Sequence, residues 1–313
     1  MSSSAGIVLA GGRSSRMGTP KAALEWHGST LLRRTTGILA RVTDGPVVVV
    51  RAADQELPAL PAQVEVIEDP REGLGPLQGL AAGLAAVADR AEVAFVCSTD
   101  MPFLHPAFVR RVLRAVTGDG ENAVAGGDAG GRGDASSRGD AGSPADPGYA
   151  VRVDVGLPLA RGFPQPLAAA YRASLAPLAE RLVAEQRLRP AFLFDECVVA
   201  RLDEAALRSD PVLAALDPEL DSVLNINEPA DYSRARERPA PEITIQRFGT
   251  LAGGRRGPEV IRAATVARAA EAAGIALDGH VVAALNGDQI TRDGQTPLAA
   301  GDTVFFIAAD AGG

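Results

Sequence analysis

Cysteine, histidine and aromatic residues are all scarce in this chain, and each scarcity removes a class of function. There are two cysteines, Cys97 and Cys197, far apart and each within an apolar run, so the expectation is two reduced core thiols and not a disulfide framework. The three histidines, His27, His105 and His280, are scattered with no metal-ligand spacing. Aromatic residues make up 4% of the chain, no basic block or aromatic platform is present, and the net charge is −8, which argues against general nucleic-acid binding. No apolar run approaches the roughly 18 residues of a membrane-spanning helix. A charged-then-apolar leader is also missing. The expectation is a cytoplasmic protein. At 46% hydrophobic and 22% charged, 313 residues are ordinary globular material with room for two domains.

Against this acidic background one stretch is locally positive. Residues 9–21 read LAGGRSSRMGTPK and directly follow the apolar run AGIVLA. A strand leading into a glycine-rich loop brings backbone N–H groups close to an anion, commonly phosphate. Gly11 and Gly12 leave room for a ligand against the main chain, and Arg13, Arg16 and Lys21 add cations. The order of residues matches neither G-x-x-x-x-G-K-[ST] nor G-x-G-x-x-G. The loop therefore points to a nucleotide held otherwise than in a P-loop or dinucleotide fold; the plain alternative is a basic loop after an edge strand.

Strands are expected at 6–10, 46–50, 64–67 and 93–98, buried in a parallel sheet, with helices over 30–41 and 77–88. In the second helix Leu77, Leu80, Ala81, Leu84 and Val87 share a face, and Pro76 suits the entry. This alternation implies an open α/β sheet with ligands at the carboxyl ends of its strands. The basic loop, EDPREGLGPLQG and TDMPFL all fall at such ends. Residues 127–147, rich in Gly, Asp, Ala and Ser, read as a disordered surface insertion, with a lid over the substrate as the weaker alternative. A helix is expected from about 173. The first domain closes at about 236, 237–242 is a linker by composition, and 243–313 forms a compact α+β pattern: strand ITIQRF, a helix around TVARAAEAAG, strand HVVAALNG and strand TVFFIAA.

Individual residues carry candidate chemistry. Asp100 follows an apolar strand, where a Mg²⁺ ligand or a turn-capping carboxylate belongs. Asp69 can accept from ribose hydroxyls or form an Asp-Pro turn, and Gly75 in GLGPL lets backbone approach a ligand. Asn225 and Asn227 in NINEP are either strand-end caps or polar groups at the cleft edge.

Taken in order, LAGGRSSRMGTPK, EDPREGLGPLQGL, CSTDMPFL, QPLAAAYR and LNINEPADY resemble the segments of molybdenum cofactor guanylyltransferases, over roughly residues 1–235. The resemblance implies a Rossmann-like nucleotidyltransferase domain with a mostly parallel sheet. It further implies that Leu9, Ala10, Gly11 and Gly12 receive the guanine and phosphates, with Lys21 and Arg16 on the phosphates. Asp69 and Gly75 then lie near the nucleoside, Asp100 holds Mg²⁺, and Asn225 and Asn227 stand on the acceptor side. GTP and molybdopterin would be the substrates. One departure stands out: VVVVRAA replaces a segment that carries Asn in the family, and Val50 and Arg51 offer no amide. Cytidylyl transfer to the same cofactor, or nucleotidyl transfer to another phosphate, therefore stays open.

The last 70 or so residues resemble the ubiquitin-like (β-grasp) sulfur carriers, closest to the small subunit of molybdopterin synthase and next to the thiamine-pathway carrier. The likeness lies in QRFGTLAGG, VVAALNG, TPLAAGDTVFFI and AGG. It implies a carrier terminus at Gly312 and Gly313 that is adenylated and thiolated, with an adenylating enzyme and the molybdopterin synthase large subunit as partners. A docking or carrier protein with an inactive nucleotidyltransferase half is the alternative of another class.

Overall fold

The computed structural model describes residues 3–11, 19–71, 73–118, 152–253 and 257–308. The expected insertion at 127–147, together with Gly12, Arg16, Gly312 and Gly313, lies outside the described residues.

The chain opens with strand β1, Ser4–Leu9. A 3-10 turn at Lys21–Ala23 leads into a small hairpin, β2 (Glu25–Trp26) and β3 (Ser29–Thr30). His27 and Gly28 make its turn, both with positive φ. Helix α1, Leu31–Ala40, starts where the Thr30 hydroxyl accepts from Arg33 N, an N-cap of the usual kind. Then come β4 (Val47–Arg51), β5 (Val64–Glu68), α2 (Pro76–Val87), β6 (Val93–Ser98) and α3 (Pro106–Thr117). Past residue 152 follow β7 (Val155–Ala160), β8 (Phe163–Pro164), β9 (Ala168–Arg172), α4 (Ala176–Ala184) and α5 (Pro190–Phe194). β10 (Val199–Leu202), α6 (Glu204–Arg208), α7 (Pro211–Leu216) and α8 (Pro229–Glu237) complete the first unit.

Its strands lie in the order β10-β7-β9-β6-β1-β4-β5, with β8 paired to β7. β6, β1, β4 and β5 are mutually parallel, as are β7 and β10, while β9 runs antiparallel to both its neighbours. The fold is an α/β layer structure around a mostly parallel sheet. The period-2 rule divides the core: Ala5, Ile7 and Leu9 face the layer of α2 and α4, and Val8 and Ala10 face that of α1 and α3. Helix α2 lies close on β1 because Gly83 has no side chain; a Cβ there would stand 2.6 Å from Ile7 Cγ2.

Two expectations need correction. VEVI is a strand but not a buried one, because β5 is the sheet edge with a neighbour on one side only, leaving Val66 45% exposed. The helix expected from about 173 begins as a 3-10 turn at Ala173–Leu175 and becomes α-helical at Ala176. There Arg172 and Ala173 are still held by backbone bonds to Asp154 O and Glu92 O.

Beyond α8 the chain forms β11 (Glu242–Phe248), β12 (Glu259–Arg262), α9 (Val266–Ala273), β13 (Val281–Leu285), β14 (Gln289–Thr291) and β15 (Thr303–Ala308). The sheet order is β12-β11-β15-β13-β14, with β11 and β15 parallel at its centre and every other pair antiparallel. Helix α9 buries Val266, Ala269, Ala270 and Ala273 against Ile243, Ile245, Leu285, Val304 and Phe306. No helix among the described residues is long and apolar enough to cross a membrane.

Candidate nucleotide site

The carboxyl ends of β1, β4 and β6 lie side by side. Leu9 pairs with Val50 on one flank and with Ser98 on the other. The backbone N–H groups of Ala10 and Gly11 both donate to Val50 O, at 2.8 and 3.2 Å, so the glycine loop leaves the sheet from a fixed point. Two residues beyond β6 stands Asp100, 9% exposed. Its Oδ2 accepts from Lys21 Nζ at 2.7 Å, and its Oδ1 accepts from the Ser98 hydroxyl. Lys21 Nζ also donates to Asn227 Oδ1 at 3.3 Å. Residues from three distant parts of the chain thus meet at one point.

Asn227 is held there by its own loop. Asp231 accepts from the backbone N–H of Asn227 and of Glu228, both at 3.0 Å, in a capping box that starts α8 with Pro229 in its first turn. Those bonds, the first from Asn227, hold the Asp231 carboxyl below the usual carboxylate range. Ile226 N donates to Asp100 O at 2.9 Å, tying the NINEP segment to the aspartate. Asn225 is exposed and takes no part in these hydrogen bonds.

The remaining expected residues divide. Asp69 sits past β5 with its N–H on Arg51 O, but its Oδ1 accepts from Arg71 N at 3.0 Å, so the carboxylate forms the Asp-Pro turn. Gly75, at φ +84°, is the residue before α2, a conformation that L side chains rarely adopt.

Sequence reasoning missed two contributors. Ser98 is one, placed by strand alternation next to Asp100. The other is Gln55. Its Nε2 donates to Ala10 O and its Oε1 accepts from Ala52 N, both at 3.0 Å, while Arg51 turns to Gln55 O and Glu68. Gln55, four residues after Arg51, thus spends its side-chain amide on the backbone of Ala10 and Ala52 and ties the turn after β4 to the end of β1, through a closure no periodicity signals.

Neither cysteine belongs to this chemistry. Burial pushes the Cys97 thiol far above its ordinary value and that of Cys197 up to about 12, and both are free. Among the described residues no group of three or more His, Cys, Asp or Glu is placed to hold a metal.

His105, five residues beyond Asp100 and the N-cap of α3, has a structural role. Its Nδ1 accepts from Ala107 N to cap α3, which leaves Nε2 as the N–H that donates to Ala300 O at 3.0 Å. Burial lowers its pKa from 6.5, against backbone and carboxylate contributions from Ala300, Asp217 and Asp302 that raise it and Arg41 that lowers it. Because the folded value is the lower one, the unfolded chain binds the extra proton, and stability falls as pH drops below about 6.5. A melting temperature that declines between pH 7 and pH 5.5, with a shallower decline in His105→Asn, is the expected result. Carboxylates such as Asp210, already depressed from 3.8, add their loss only at lower pH. Equal slopes in the two proteins would count against this role for His105.

A family model described as the MobA-like NTP transferase domain matches residues 6–203. A probable molybdenum cofactor guanylyltransferase of Mycobacterium tuberculosis is 45% identical over 121 residues, covering 37% of this chain and 59% of that protein. One of Methanosarcina acetivorans is 40% identical over 120 residues, 36% of this chain and 52% of its own length. The chain thus spans little more than half the length of these curated relatives. Among solved structures, molybdopterin-guanine dinucleotide biosynthesis protein A from Archaeoglobus fulgidus superposes with a TM-score of 0.51 at 22% identity, over 74% of this chain and 97% of that one. At that identity the likeness shows the fold.

Proposed function

The chain belongs to the MobA-like NTP transferase domain family, and from that premise we propose that it transfers GMP from GTP to the terminal phosphate of molybdopterin, molybdenum-bound or not. An oxygen of that phosphate attacks the α-phosphorus in line, the α–β phosphoanhydride bond breaks, and pyrophosphate leaves with the electron pair. The carrying observation is the Lys21 ammonium 2.7 Å from Asp100 and beside Asn227, at the strand ends where the glycine loop begins.

No side-chain nucleophile is required, since an ionised phosphate is already one. The work left to the chain is positioning and charge neutralisation. The backbone at Ala10 and Gly11 sets where the triphosphate lies, Lys21 exchanges the oxyanion of Asp100 for one of the phosphate chain, and Asn227 keeps a polar contact with the ammonium. A lone carboxylate is too few ligands to hold a cation by itself but fits a Mg²⁺ brought in with a nucleotide, which needs only one or two carboxylates from the protein. Asp100 would hold it there, and the ion would supply further neutralisation of phosphate charge. Arg16, in the same loop by sequence, completes the cationic set.

The second unit is read as a ubiquitin-like sulfur carrier of the β-grasp kind, with an adenylating enzyme and the molybdopterin synthase large subunit as its partners. Its parallel central pair β11–β15 packed on α9, the one α-helix among its described residues, supports this. Intact-mass measurement after incubation with ATP and a sulfur donor system tests it, by exchange of one carboxylate oxygen of Gly313 for sulfur.

Calorimetry of GTP, CTP, ATP and UTP binding in Mg²⁺, followed by transfer to molybdopterin, tests the nucleotidyl reading. Selective GTP binding with release of pyrophosphate is expected. A preference for CTP moves the assignment to cytidylyl transfer, and absence of binding to all four ends it.

A further inference from the structure

The two units meet along a buried interface in which polar contacts stand beside apolar ones, Ala264 clustering with Trp26 and Leu31 and Ala299 with the first unit's core. Residues 297–302 of the second unit present backbone carbonyls to the first, and cationic or neutral donors meet three of them. Arg41 Nη1 donates to Pro297 O at 3.0 Å, Arg34 Nη1 to Leu298 O at 3.0 Å, and His105 Nε2 to Ala300 O at 3.0 Å. Arg41 Nη2 also binds Asp302 Oδ1 at 2.6 Å. The stretch is stiff in its own unit, with Leu298 N on Ala264 O and Ala299 N on Asp302 Oδ2. Shape agrees with charge: Pro297 sits where α1 has Gly37, and a Cβ at 37 would come within 2.5 Å of the proline ring.

One of these donors faces two ways. Arg34, 4% exposed, gives Nη1 to Leu298 O and Nε to Pro102 O at 2.6 Å. Its guanidinium lies 4.3 Å over the Trp26 ring, which meets Phe103 edge-on. Burial pulls the Arg34 pKa down to about 9, still above neutrality, so the group is charged at pH 7. Pro102 is two residues past Asp100, and His105 ends the same segment.

We infer that the 297–302 stretch of the second unit braces the 100–105 segment of the first through Arg34 and His105, making Arg34 a positioning residue for Asp100. This rests on the reading of Asp100 as the metal-carrying residue of a nucleotidyl-transfer site. The second unit then acts as a fixed part of the nucleotide site, whatever else it carries. Its docking state sets how firmly Asp100 is held.

The test opens the interface without touching the site. Gly37→Leu replaces a poor helix former by a good one, and its Cβ runs into Pro297. Arg34→Met severs the link from within, and Arg34→Lys keeps the charge with a single reach. In the full chain, amide hydrogen exchange is read at Leu104, at His105, whose N–H is on Ser222 Oγ, and at Ile226, whose N–H is on Asp100 O. Exchange at these amides should quicken by about tenfold or more in Gly37→Leu and Arg34→Met, while that of Val96 in β6 stays unchanged, with partial recovery in Arg34→Lys. In GTP turnover, the Mg²⁺ concentration for half-maximal rate should rise by about tenfold, with kcat restored at high Mg²⁺. A general loss of folded protein would not be repaired by the ion. Unchanged exchange at Leu104, His105 and Ile226 in both variants overturns the brace. If the wild-type chain transfers no nucleotide, the activity reading falls and exchange alone decides the brace.

Discussion

Lys21→Ala should lower kcat/KM for nucleotidyl transfer by roughly 10²–10³-fold, the scale for removing one preorganised electrostatic stabiliser. The ammonium is the cation that the described structure holds at the strand ends, with Asp100 and Asn227 as its partners. Alanine leaves both without it and leaves the phosphates one charge short. Lys21→Arg should rescue little, because a planar fork does not reproduce a compact point charge. Asp100→Asn should fall in the same range by removing the carboxylate while preserving shape. Stability tells the two kinds of role apart. The lysine side chain is 23% exposed, and pairs with solvent access contribute about 0–1 kcal/mol, so the melting temperature should hardly move. Single-turnover transfer from labelled GTP, alongside a thermal scan, makes the comparison. Near wild-type turnover in Lys21→Ala would remove the basis for the assignment.

The largest stability effect belongs to the interface. Asp302→Ala should cost about 3–5 kcal/mol, because its carboxylate is the partner of a buried cation and of two further donors. Arg41 Nη2 and Ala299 N each reach it at 2.6 Å and Asn286 Nδ2 at 3.0 Å, and the side chains of the ion pair are 5% and 7% exposed. Removing the acceptor strands the guanidinium in a place water does not reach. The joint change Arg41→Met with Asp302→Leu should recover much of the loss, since two apolar groups ask for no partner. Urea unfolding of the single and double variants reads the difference. A loss below about 1 kcal/mol in Asp302→Ala would show that the pair is solvated in solution.

Where apolar pattern and local chemistry agree, the fold was legible residue by residue. The runs read at 6–10, 46–50 and 93–98 became the adjacent parallel strands β1, β4 and β6, and the five residues assigned to one face of the second helix are all buried in α2. Illegible elements were those whose pairing carries the information. β9 is AAAYR, without a β-branched residue, and is a strand because β6 and β7 close on it from both sides. β12 and β14 are short edge strands of the second sheet. At the site, Lys21, Asp100 and Asn227 were named from motif and resemblance, and the structure brings them together. Gln55 and Ser98 were not, since a side-chain amide that closes a turn leaves no spacing signature. Arg34 in α1 and Arg41 at its C-cap carry no sequence signal of burial; the arrival of Pro297 and Leu298 makes them interior groups.

That arrival has a cost in time. Arg34 and Arg41 are separated from their carbonyl partners by 264 and 256 residues. At about 5–20 residues per second, the ribosome leaves the α1 face waiting on the order of 10–50 s for its cover. A face of leucines would spend that interval as exposed apolar surface, open to association with other nascent chains. Arginine and histidine spend it hydrated, and lose their water only when the carbonyls of 297–302 take its place. At these three side chains, what waits for the second unit is polar and not apolar surface.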